Sequence, residues 1–182
     1  MKVTPLDLEG LLLLEPTIFG DDRGFFLESY NLERYQAAGI SDPFVQDNHS
    51  RSVQGTLRGL HFQTRPGQGK LMRVTRGKIF DVAVDIRPDS PTFGRWSGCE
   101  LDGESHRQLW VPVGFAHGFC VLSDVAEVLY KVTSVYNPET EKGFRWDDPT
   151  VGVEWPVEAP LLSERDQNAP TFEACQSSFV RS

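Results

Sequence analysis

Ile79-Phe80-Asp81-Val82-Ala83-Val84-Asp85-Ile86 is the stretch on which the fold of this 182-residue chain turns. Apolar and polar residues alternate along it, and residues two apart share one face of an extended strand. Working outward, Leu71 to Arg87, Leu109 to Leu122 and Val128 to Tyr136 have the same β-branched and aromatic character, and Tyr130 to Tyr136 alternates again. Between such runs the chain is punctuated by 16 glycines and 12 prolines. Period-two patterning broken by turn residues at intervals of about ten predicts an all-β sandwich or barrel. One segment reads as a short helix, Asn31 to Gly39, with Asn31 as N-cap and Gly39 as the terminating glycine. Beyond Asn137, proline, acidic residues and tryptophan predict turns and one short helix packed on the barrel. No internal repeat or low-complexity segment divides the sequence, so one domain over residues 1–182 is expected.

Hydrophobic residues make up 39% of the chain and charged residues 24%, the proportions of a soluble globular protein. A net charge of −8 speaks against general binding to nucleic acid or to an anionic membrane, since both require a basic surface. A small anionic ligand remains open, because a local cluster of arginines outweighs the global charge. The apolar run Leu11 to Leu14, flanked by Glu9 and Glu15, is too short for a signal-peptide core or a membrane span. Cys99, Cys120 and Cys175 are odd in number and widely spaced, with neither a metal-binding pair nor a disulfide framework. A reducing compartment, the cytoplasm, is therefore expected.

Pro112-Val113-Gly114-Phe115-Ala116-His117 fits the Pro-x-Gly-x-x-His turn of cupin-type jelly rolls, so the all-β fold is expected to be a cupin jelly-roll barrel or sandwich with a few short helices. Gly55 to Gln63, "GTLRGLHFQ", fits the first cupin pattern in part. Metal-binding cupins carry His-x-His there, with both imidazoles on the inner face of one strand. Gln63 occupies the second position, leaving His61 and His117 as the inward imidazoles. Two neutral nitrogens without a carboxylate or thiolate make a poor zinc or iron site, so no metal is expected. His61, alone, reads as a buried structural histidine. With acidic and basic company it becomes a general base, since its ordinary pKa of about 6.5 suits proton abstraction near neutrality.

Six stretches in order supply that company. They are "GDDRGFFLESY", "QDNHSRSVQGTLRGLHFQ", "QGKLMRVTRGKIFDVAVDIRPDSPTFGRW", "LWVPVGFAHGF", "LYKVTSVYNPETEKGFRWDDP" and "LSERDQNAP". Through them the chain resembles the dTDP-4-dehydrorhamnose 3,5-epimerase family of metal-free cupins. The resemblance implies a cofactor-free reaction that inverts C3 and C5 of a 4-keto-6-deoxyhexose carried by dTDP. By the same match, His61 is the base and Asp166 orients it. Lys70 stabilises the enolate, and Tyr130 returns a proton from the opposite face. Arg23, Arg58 and Arg165 match phosphate-binding positions, although the family commonly carries lysine where Arg165 stands. Glu28, Gln46, Asp47, Asn48 and Glu141 match polar ligand contacts, Tyr136 a residue that stacks on thymine, and His117 a contact to the hexose or a phosphate. The resemblance also implies a homodimer whose pocket is completed by the second subunit. Three rivals remain: an epimerase acting at C3 or C5 alone, a non-catalytic nucleotide-sugar binding module, and a metal-dependent cupin, against which Gln63 speaks.

Overall fold

A computed structural model describes residues 1–179; Val180 to Ser182, included in the expected single domain, lie outside the described residues. In chain order the first strands are β1 (Lys2–Pro5), β2 (Leu12–Glu15), β3 (Ile18–Asp21), β4 (Gly24–Leu27), β5 (Gln46–Val53), β6 (Leu57–Gln63) and β7 (Lys70–Arg76). There follow β8 (Lys78–Asp85), β9 (Trp96–Asp102), β10 (Gln108–Val111), β11 (Phe115–Val121), β12 (Val125–Val132) and β13 (Glu141–Gly143). They form a six-stranded sheet in the order β1-β2-β10-β7-β12-β5, a five-stranded sheet β13-β6-β11-β8-β9, and a separate hairpin β3-β4. Neighbouring strands are antiparallel throughout. The two large sheets face each other as a cupin-type jelly roll.

The opening stretch becomes β8, and its alternation separates two dry faces rather than a dry face from a wet one. Ile79 and Ala83 join Met72, Val74, Phe119 and Val128 in the core between the sheets. Val82 and Val84 face outward, where Phe144, Phe172 and Phe179 of the C-terminal segment cover them. The aspartates of the pattern are both fully buried, and each is paired. Asp85 accepts from Arg87 Nη2 at 2.7 Å, Ser90 Oγ at 2.6 Å and Thr92 Oγ1 at 2.7 Å, pinning the turn that follows β8. Burial opposes its ionisation, but those hydrogen bonds outweigh it and hold the carboxyl below its usual range. Asp81 turns toward the interior and meets His117.

The outer face of the six-stranded sheet is covered by α1 (Leu32–Ala37), which begins where expected: Asn31 Oδ1 accepts from Arg34 N at 3.2 Å. Gly39 ends it at φ 91°. Tyr35 seats this helix on Leu14, Leu71 and Trp110, and its hydroxyl donates to Ser29 O at 3.0 Å, so the buried phenol is satisfied. The tail forms two short helices rather than the one expected, α2 (Glu164–Gln167) and α3 (Phe172–Cys175), followed by a 3₁₀ turn. Each is started by its own cap, Ser163 and Thr171, a local signal that composition alone does not carry. Among the described residues, no helix is long and apolar enough to cross a membrane.

Candidate active site

Strands β6 and β11 lie side by side with His61 directly opposite His117. Their register breaks between His117 and Phe119, where Gly59 meets Gly118. A Cβ on Gly59 would lie 2.5 Å from Gly118 Cα, so the backbones approach as closely as they do only because neither position has a side chain. Just beyond this contact, both imidazoles enter a cavity of about 560 Å³ between the sheets.

Each imidazole is held by a different aspartate. Nε2 of His61 donates to Oδ1 of Asp166 at 2.6 Å, across 105 positions of sequence. Asp166 is buried on α2, and its other oxygen accepts from Ser163 Oγ at 2.9 Å. Burial raises its pKa, but the hydrogen bond and charge of His61, with help from Ser163 and Arg165, bring it below the ordinary carboxylate value. An ionised carboxylate can only accept, so Nε2 carries the proton and the lone pair of His61 sits on Nδ1. His117 Nε2 meets Asp81 Oδ1, also at 2.6 Å, in a pair buried on both sides. Among the described residues no three His, Cys, Asp or Glu side chains converge as a metal-ligand set.

The six-stranded sheet supplies the facing wall. Tyr130 on β12 pairs in register with Asn48 on β5 and Met72 on β7, and all three line the cavity. Burial pushes the Tyr130 phenol above its usual pKa; Arg58 pulls the other way and Glu141 adds to the rise. Lys70, also buried, crosses the interior to donate to the His61 carbonyl at 3.3 Å. Burial lowers its pKa to about 8, while Glu141 and Asp81 resist the shift and Arg165 adds to it.

At the mouth stand Gln46, Asn48, Arg58, Tyr136, Glu141 and Arg165. Arg165 Nη1 donates to Glu141 Oε2 at 2.5 Å, and Arg58 Nε donates to Ser52 Oγ at 3.1 Å. The Glu141 carboxylate beside Tyr136 lifts the phenol's pKa above its usual value. Three expected site residues are not brought into this cavity. Asp47 follows the strand period to the other face of β5, where Lys131 Nζ donates to it at 3.0 Å. Arg23 sits in the exposed β3–β4 turn, bound to Asp21, and Glu28 follows that hairpin and pairs with Arg34 at 3.1 Å. Two participants were missed in the sequence and both carry a signal there. Ser163-x-x-Asp166 has capping-box spacing, and Asp81 is an acid inside an apolar strand.

An imidazole oriented by a carboxylate, a protonated phenol on the opposite wall and a buried ammonium bonded to the His61 carbonyl make a jelly-roll cavity chemically able to move protons. Comparison with known proteins gives the reaction. The family description "dTDP-4-dehydrorhamnose 3,5-epimerase" matches residues 5–174. A dTDP-4-dehydrorhamnose 3,5-epimerase of Pseudomonas aeruginosa is 55% identical over 174 residues, covering 94% of this chain and 96% of that protein. The crystal structure of a Legionella pneumophila 3,5-epimerase in complex with dTDP-4-keto-L-rhamnose superposes with a TM-score of 0.97 at 47% identity, covering 100% of this chain and 98% of that one. A dTDP-4-dehydrorhamnose 3-epimerase of Streptomyces niveus is 40% identical over 196 residues, covering 100% of this chain and 95% of that protein. The chain belongs to the dTDP-4-dehydrorhamnose 3,5-epimerase family; it is an epimerase and therefore an isomerase.

Proposed function

We propose that the protein converts dTDP-4-dehydro-6-deoxy-D-glucose to dTDP-4-dehydro-L-rhamnose by inverting C3 and C5, with His61 as base and Tyr130 as acid. Both carbons adjoin the C4 ketone, so loss of either proton gives an enolate whose charge collects on O4. Nδ1 of His61 takes the proton, and Asp166 holds the imidazole in that tautomer and stabilises the imidazolium. The Lys70 ammonium, still charged at neutral pH, faces the oxyanion. Tyr130 donates its proton to the other face of the same carbon, which is what inversion requires. His61 then releases its proton to solvent and Tyr130 is reprotonated before the second carbon reacts. The observation that carries this reading is that His61, bonded to Asp166 at 2.6 Å, and Tyr130 stand on different sheets across one cavity.

Arg58 and Arg165 receive the diphosphate, for which guanidinium is suited. Tyr136 offers its ring to thymine, Gln46, Asn48 and Glu141 meet polar edges of the nucleoside, and His117 meets the hexose or a phosphate. The protein acts as a homodimer in which the β3–β4 hairpin of one copy brings Arg23 and Glu28 to the cavity of the other. Supporting this, Phe19, Phe25 and Phe26 on the hairpin are 63%, 58% and 70% exposed, bare aromatic surface of the kind an interface covers. No metal or cofactor takes part in this mechanism, and the cytoplasm is its compartment.

A proton NMR time course in D2O with metal-stripped protein and the dTDP-4-keto-6-deoxy sugar tests the reading. Deuterium is expected at both C3 and C5, and not with His61→Ala. Exchange at one carbon would make the chain a single-site epimerase like the Streptomyces niveus relative. Binding of dTDP without exchange would reduce it to a nucleotide-sugar binding module.

A further inference from the structure

Gln63, where metal cupins place a second histidine, is 6% exposed and does not line the active-site cavity. Its amide is nonetheless fully engaged, by one loop. Nε2 donates to Ser134 Oγ at 3.1 Å and to Val135 O at 3.3 Å, and Oε1 accepts from Asn137 N at 2.8 Å. Only the oxygen can accept from a backbone N–H, so this last bond fixes which way the amide points. Gln68 Nε2 donates to Ser134 O at 2.8 Å, and Gln46 Oε1 accepts from Tyr136 N at 2.9 Å. The loop needs such help. Residues 134–137 form neither helix nor strand, and Val135 and Tyr136 are 63% and 51% exposed, so little packing holds them.

We infer that Gln63 is a positioning residue for the nucleotide end of the substrate: with Gln68 it clamps Ser134–Asn137 so that the Tyr136 ring stands ready at the cavity mouth to receive a base. The inference rests on the nucleotide-sugar reading of this site. Ordering an exposed aromatic loop at the moment of binding subtracts from affinity, and a loop ordered beforehand escapes that loss. The hexose end is held by other residues, so the clamp governs KM and leaves the proton transfers alone.

Gln63→Met keeps the length and removes all three hydrogen bonds. KM and the dissociation constant for dTDP are expected to rise on the order of tenfold, the scale of a few lost hydrogen bonds, with kcat within about twofold. Binding of inorganic pyrophosphate, which has no base, is expected to stay unchanged. In a Tyr136→Ala background Gln63→Met should add less than about a further twofold, because the ring it positions is gone. Ser134→Ala, milder for folding, should show a smaller KM effect of the same kind. A lowered melting temperature with KM unmoved, or equal weakening of pyrophosphate, or full additivity with Tyr136→Ala, would overturn the inference. Amide exchange at Asn137, slow in the parent and accelerated in Gln63→Met, judges the clamp without any ligand. Failure of the parent protein to bind dTDP would instead sink the functional reading.

Discussion

Asp166 is asked to be buried and charged at once, and its surroundings make the two compatible. His61 and Ser163 supply hydrogen bonds that outweigh the desolvation, so the carboxylate stays ionised at neutral pH. Asp166→Asn retains the shape but puts an amide where an anion fixed the tautomer of His61. We expect kcat to fall about 10²- to 10⁴-fold with the thermal midpoint little changed, measured by steady-state kinetics and calorimetry. Lys70 has a different pH signature. Its folded pKa of about 8 lies below the ordinary 10.5, so between these values the unfolded chain binds more protons than the folded one. Stability therefore rises with pH across that window, as the cost of burying the ammonium is relieved, while below it both states hold the proton and the cost is constant. Activity should move the opposite way, with kcat falling through an apparent pKa near 8 as the ammonium is lost. Denaturant midpoints at either end of the window, compared with Lys70→Met, check the first statement, and a pH–rate profile checks the second. The Asp166–His61 contact was legible only through the "SERDQ" match, since no local rule joins residues 105 positions apart.

At the scale of elements, the meeting of β6 and β11 controls the site, because it sets His61 beside His117. Gly59 adopts φ 124° and lies against Gly118 backbone. Gly59→Ala adds left-handed strain to overpacking and should cost about 2–4 kcal/mol in urea or thermal unfolding. Activity should fall beyond what the unfolded fraction explains, because relief of the clash shifts both imidazoles. Much at this scale was readable in advance. Alternation located β8, and Asn31 and Gly39 located α1 with both its ends, but the alternating run Tyr130 to Tyr136 stays in β12 only as far as Val132 and then leaves the sheet as a loop. What alternation could not give was the second dry face of β8. Asp81 and Asp85 look like solvent-side residues until β11 and the following turn supply their hydrogen-bond partners. Nor could the strand pattern at Gln46-Asp47-Asn48 send all three residues to one ligand: the period of two turns Asp47 away from Gln46 and Asn48.

For the whole molecule, the separation of Arg23 and Glu28 from the cavity they were expected to line is the observation on which the proposed exchange of hairpins between copies turns. The dimer is an expectation of the family resemblance and not of composition, because a hairpin whose phenylalanines are bare looks like any other strand pair in sequence. If one chain lends its hairpin to its neighbour, each site is a joint possession and defects in the two parts belong to different chains. Two inactive proteins, one carrying Arg23→Ala and the other His61→Ala, should then repair each other when unfolded together and refolded. Random pairing places one intact site in each mixed dimer, so activity should recover to about a quarter of the parent's. Neither variant refolded alone should recover, and a mixture that stays inactive would mean that each chain keeps its hairpin to itself. A damaged copy in such an assembly is not simply lost: it can still donate the half that remains sound.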